Sequence, residues 1–173
     1  MPKQYSDGGR VGPGPRAEAE RQAAADEAQR LDDEALQDFR SCRKEGQAMD
    51  ELARSSGNPG QYLASARILE GCAGRLAASP EAVDEDARMR VAALSVLNWA
   101  KGGDAAKARQ GLSTFEAEFP GRDLYYPDGT SFTETMAMGL GLSADDAAGA
   151  FSAANVNPRL KAEMRRVRYW QAH

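Results

Sequence analysis

Residues 95–121 read SVLNWAKGGDAAKARQGLSTFEAEFPG, from Ser95 to Gly121. Two runs of helix-forming residues meet here at Gly102-Gly103-Asp104 and stop at Pro120. Glycine suits the residue just past a helix end, aspartate caps the free amides of the next helix, and proline cannot continue it. The runs on either side of the hinge both read as helical patterns. The stretch is a helical hairpin, and it sets the expectation for the whole chain: an all-α fold.

Composition agrees. The chain has 173 residues, enough for one domain with its own core. Alanine dominates its apolar share and β-branched residues are sparse, which favours closely packed helices over a sheet. A formal net charge of −4, with acids and bases interleaved, gives no field that would gather nucleic acid, so none is expected as a partner. No apolar run is long enough to span a bilayer, and Met1 to Arg16 lacks the apolar middle of a signal peptide. Ser6 to Arg16, SDGGRVGPGPR, can neither bury a core nor hold a helix. Residues 1–16 are therefore expected to form a flexible tether, and residues 17–173 a single helical-repeat domain. Such a tether is either the tail of a cytosolic protein or the spacer holding a periplasmic domain, a lipoprotein for example, off a membrane. Contact with a membrane is expected only through it.

Working outward from the hairpin, Ala17 to about Ser55 forms one long pattern whose first half is nearly all Ala, Glu, Gln, Arg and Asp. Leu31, Ala35, Leu36, Phe39, Cys42, Met49, Leu52 and Ala53 supply its apolar face. Gly57-Asn58-Pro59-Gly60 makes a turn, and Tyr62 to Ala78 returns. Ser79-Pro80-Glu81 reads as a helix start, with the helix running to about Lys101. After the hinge, the second helix of the hairpin ends at Phe119, and a loop over 121–129 carries Tyr125 and Tyr126. Ser131 with Glu134 is a capping box for a helix to about Leu140; Ser143 with Asp146 marks another to about Ala154. A last helix over 158–171 places Leu160, Met164, Val167 and Trp170 on one stripe, with Arg159, Lys161, Arg165, Arg166 and Arg168 around it.

The order Trp99, Gly103, Asp104, Ala108, Leu112, Phe115, Pro120 resembles a tetratricopeptide repeat, in which a small residue lets two antiparallel helices approach closely. Upstream, Met49, Leu52 and Ala53 followed by Gly60, Tyr62, Ser65, Leu69 and Cys72 repeat the grammar; downstream, Met138, Ser143, Ala147, Phe151 and Ala154 repeat its second half. The resemblance extends over Leu36 to Ala154 and is closest in the central hairpin. The copies lie about forty residues apart, longer than the family's repeat of about thirty-four. The resemblance implies about three stacked antiparallel hairpins in a right-handed solenoid, with 158–171 as a C-terminal capping helix and a concave groove that binds a protein or peptide.

Cys42 and Cys72 are nearly equidistant from the turn at 57–60, so closing that hairpin sets them face to face. They read either as a disulfide, which implies an oxidising compartment, or as two small buried core residues. The sole histidine is His173, so neither a nucleophile–histidine arrangement nor a four-ligand zinc set can be assembled. Asp32-Asp33 and Asp145-Asp146 are adjacent pairs whose side chains diverge on a helix, and Gly102-Gly103-Asp104 lacks the lysine and hydroxyl of a phosphate loop. No catalytic, cofactor or metal site is expected. The candidate partner-binding residues are Tyr62 and Trp99 on the hairpin faces, Arg122, Tyr125 and Tyr126 in the loop, and Arg165, Arg166 and Trp170 at the C-terminal end. The expected role is a non-enzymatic scaffold, an assembly or accessory factor of a bacterial envelope complex. The alternatives are a structural subunit of a large complex, and a cytosolic adaptor meeting anionic partners through the basic last helix.

Overall fold

The structure, a computed structural model, describes residues 12–76 and 78–142. Its order is α1 (Pro15–Ser56), α2 (Pro59–Gly74), a 3-10 turn (Pro80–Ala82), α3 (Glu85–Lys101), α4 (Ala105–Glu118) and α5 (Phe132–Gly139). Among the described residues the only pairing of extended backbone is an isolated antiparallel bridge between Tyr125 and Ser131. Packing runs in sequence order, α1 on α2, α2 on α3, α3 on α4 and α4 on α5.

Each turn is written in residue chemistry. Gly57 closes α1 in the left-handed region at φ 68° and donates to the Ala53 carbonyl at 2.8 Å. Asn58 then caps α2 by accepting from the Gly60 amide at 2.8 Å, with Pro59 at the first helical position. At the hinge that decides the fold, Gly103 takes φ 91°, and Asp104 accepts from the Lys107 amide at 2.9 Å.

Small residues set the spacing of the helices. Gly46 sits in the middle of α1, where a Cβ would come within 2.5 Å of the Leu69 side chain on α2. Gly102 makes a matching approach to Leu63, at 2.3 Å. Ala53, Ala66 and Ala108 are buried without residual exposure. Over these contacts closes a core of Phe39, Leu69, Met89, Leu97, Leu112, Phe115, Phe119, Phe132 and Met136. Phe115 packs against both Phe119 and Phe132, at 5.1 and 5.3 Å between ring centroids. The central helix is α3, buried from Ala93 to Trp99 without interruption.

The disulfide reading of the cysteines holds. Cys42 and Cys72 are bonded, their Cα atoms 5.6 Å apart, and both are buried at the open end of the α1–α2 hairpin. A bridge closing a loop of this length stabilises a fold by roughly 3–4 kcal/mol in the chain-entropy account.

Several expectations change. The helix expected from Ser79 is instead a short 3-10 turn, because Val83 turns extended at φ −122° to bury its side chain; Asp84 provides the cap, accepting from the Ala87 amide at 3.2 Å. Helix α2 ends at Gly74, earlier than Ala78. Helix α1 begins at Pro15, two residues inside the stretch expected as a tether, since proline is well placed at a first helical position. Leu31 and Leu52, assigned to the apolar face of α1, are about half exposed. The remaining tether residues 1–11, the helices expected after Ser143 and the capping helix over 158–171 lie outside the described residues.

Candidate functional site

Two cavities flank α3. On the side of α1 and α5 a space of about 340 Å³ is lined by Arg43 and Gln47 of α1, Asp84 and Asp86 before and at the start of α3, Arg90 of α3, and Tyr126 of the loop. On the side of α2 and α4 a smaller space of about 220 Å³ has α3 as its floor, with Leu76, Val96, Trp99 and Phe115 among its walls. The first is rimmed by charge and the second is mostly apolar.

The loop that closes the first cavity is held by one carboxylate that sequence reasoning passed over. Asp123 accepts from the Leu124 amide at 2.7 Å, the Thr133 amide at 3.2 Å, the Thr133 hydroxyl at 2.7 Å and the Ser131 hydroxyl. Ser131 in turn accepts from the Glu134 amide at 3.1 Å and so caps α5, as its spacing predicted. Phe132 donates its amide to the Leu124 carbonyl at 2.9 Å, and Tyr126 to the Thr130 carbonyl at 3.0 Å. Rigid backbone thus separates two neighbouring tyrosines: Tyr126 is buried against the cavity, while Tyr125 points out, 62% exposed. Arg122 anchors the loop to α3 through Asp86 at 3.0 Å and Glu85 at 3.5 Å.

Trp99 and Tyr62 are both buried, so neither is a projecting ring; Trp99 is a wall of the second cavity. Arg67 and Lys107 stand over the Trp99 indole at 5.7 and 5.5 Å from its centroid, and Lys107 pairs with Glu70 at 3.9 Å. Tyr62 lies under the Lys101 ammonium, 5.0 Å from its ring centroid.

Around Tyr62 is a polar layer through the core that the sequence did not announce. Ser65 of α2 donates to the Gly46 carbonyl of α1 at 2.7 Å and accepts from Asn98 of α3 at 2.9 Å, a three-helix relay. One turn along α1, Asp50 is buried beside Arg54, whose Nε stands 3.0 Å from its Oδ2. Burial pushes the Lys101 ammonium down to about 8, against the pull of Asp50 and with a further push from Arg54. Burial, followed by Asp50, raises the Tyr62 phenol above its ordinary value, with Arg54 opposing.

The structure brings Tyr126 to the first cavity, with Arg122 securing the loop beside it, and Trp99 to the second. It does not bring Tyr62 and Trp99 to a shared exposed surface. Arg165, Arg166 and Trp170 lie outside the described residues. Among the described residues there is no cluster of three or more His, Cys, Asp or Glu side chains set to hold a metal, and no helix long and apolar enough to cross a membrane. Comparison with protein-family models, curated proteins and solved structures finds no match to this chain.

Proposed function

We propose that the chain is a non-enzymatic scaffold of tetratricopeptide-like stacked hairpins, right-handed and capped by residues 158–171, that docks a protein or peptide partner during assembly of a bacterial envelope complex. The observation that carries this reading is the first cavity. It combines about 340 Å³ of concave space with both signs of charge on its rim and a loop fixed by Asp123, features suited to an extended peptide with polar side chains. The buried Cys42–Cys72 bond supports an oxidising compartment, hence the envelope over the cytosolic alternative. The exposed Tyr125 beside the cavity supplies an aromatic anchor for the partner.

A second reading, a structural subunit of a larger complex, is favoured by the first twenty residues of α1. From Pro15 to Glu34 nearly every position is exposed, so this stretch of helix lacks a core of its own. One experiment separates the two. A photo-crosslinking residue at Gln47, in the cavity, is compared in native cells with one at Gln22, on the projecting helix. A discrete adduct from Gln47 supports peptide docking; adducts from Gln22 alone support the subunit reading and remove the first. Adducts from neither reject both.

A further inference from the structure

The charges around the first cavity are not equivalent. Its acids are engaged: Asp84 gives an oxygen to the Ala87 amide at 3.2 Å, and Asp86 holds Arg122 at 3.0 Å. Both are exposed on the rim, as is Arg90. Arg43 and Gln47 are placed differently. They lie one turn apart on α1, so their side chains share a face, and each is half-buried in the cavity wall. Among the described residues neither side chain makes an ion pair or a hydrogen bond. A guanidinium carries five donors and no acceptor, in a planar fork that matches a carboxylate. Half-buried and unpaired, Arg43 has given up hydration without a partner in exchange, and a carboxylate brought by a ligand supplies one.

Volume and lining set what accompanies that carboxylate. An apolar cavity of about 150 Å³ holds benzene, so about 340 Å³ takes roughly fourteen non-hydrogen atoms, enough for two side chains of an extended peptide and part of its backbone. Residues i and i+2 of such a peptide face the same side, about 7 Å apart. Leu94 of α3, Leu124 of the loop and Phe132 of α5 are buried walls of the same cavity and suit an aliphatic group. A basic side chain is disfavoured, because Arg43 repels it and both rim acids already serve other donors. Building on the docking of a peptide in this cavity, we infer that the docked segment is acidic: a carboxylate side chain pairs with Arg43, the adjoining backbone amide with Gln47, and an aliphatic side chain two residues away rests on Leu94, Leu124 and Phe132.

The test is a titration of the full-length 15N-labelled protein with acetyl-Leu-Ser-Glu-Ser-Leu-amide, whose leucines on both sides let either chain direction reach the wall, and with the same peptide carrying Gln or Lys in place of Glu. Saturable shifts are expected at the Gln47, Leu94 and Leu124 amides, with Gly111 and Thr114 on the opposite side of α3 unmoved. The Glu peptide binds about three- to tenfold more tightly than the Gln peptide, the range of one half-buried Arg–carboxylate pair, and the Lys peptide binds most weakly. Arg43→Met keeps the aliphatic stem and erases the preference for Glu; Arg43→Glu turns it toward Lys. The parent spectrum retained outside the cavity shows that each variant is folded. Equal binding of the Glu and Gln peptides, a preference for Glu that survives in Arg43→Met, or a Gln peptide with a free terminal carboxylate that outcompetes the Glu amide would overturn the inference while leaving peptide docking in place. No saturable shift at these amides from any of the peptides removes the docking reading as well.

Discussion

Lys101 is the residue whose environment departs furthest from what its position in the sequence suggests. Folding carries an ammonium from water into a partly buried layer beside Asp50, Arg54 and Tyr62, and its pKa falls from 10.5 to about 8. Between these values the unfolded chain holds a proton that the folded chain has released, so stability rises with pH through that window. Tyr62 acts in the opposite sense above pH 10, where the unfolded phenol ionises first and folding loses ground. Urea midpoints measured from pH 7 to 10 should therefore climb above pH 8, and Lys101→Met should flatten the climb. A second residue-scale expectation concerns Gly46. Gly46→Ala adds about 1 kcal/mol of helix propensity, but its new methyl meets Leu69, an overpacking cost of about 1–3 kcal/mol. Net destabilisation is expected on the same melts, and Leu69→Ala in the double variant should recover part of the clash while opening its own cavity.

At the scale of elements, the α1–α2 hairpin is two things joined end to end. Its lower part is clamped by the Gly46–Leu69 approach, the three-helix relay and the disulfide; its upper part, Pro15 to about Glu34, is solvated on most sides. Replacing both cysteines by alanine should lower stability by roughly 3–4 kcal/mol, read as a shifted urea midpoint with an unchanged slope. Deleting residues 1–30 should remove helical ellipticity and leave that midpoint within about 0.5 kcal/mol of the full chain, since exposed substitutions away from the core cost no more than this. Amide exchange should be fast before Leu31 and slow from Phe39 onward, because an unsupported helix of this length is marginal in water.

The elements also show how far the sequence could be read. Gly103, Asp104 and Ser131 announced their helix ends because capping chemistry is local, and Asn58 was legible as a turn; for the cysteines the hairpin made a bond one of two readings, which the packed helices decide. Ser79-Pro80 misled for a tertiary reason: burying Val83 outweighed the continuous helix that the local signals favoured. The burial of Asp50 and the setting of Lys101 went unread, since nothing in a helical pattern of acids and bases distinguishes a solvated carboxylate from a buried one. Tyr62 and Trp99 stood out as aromatics, yet periodicity does not separate a buried aromatic from one that projects. Asp123 organises a loop through contacts eight and ten residues away, a pattern that becomes visible only when the loop closes.

For the whole molecule, sequential packing places a charged recess on one side of α3 and an apolar one on the other, so the central helix is the wall both share. Val91 of α3 and Leu69 of α2 border both spaces, which makes them positions where filling one is expected to be felt in the other. The 42 residues of α1 have a further consequence. At 1.5 Å per residue, its first twenty extend about 30 Å past the packed body. Whatever holds the tip is thereby set at a distance fixed by residue count, a molecular stand-off that each added heptad would lengthen by about 10 Å.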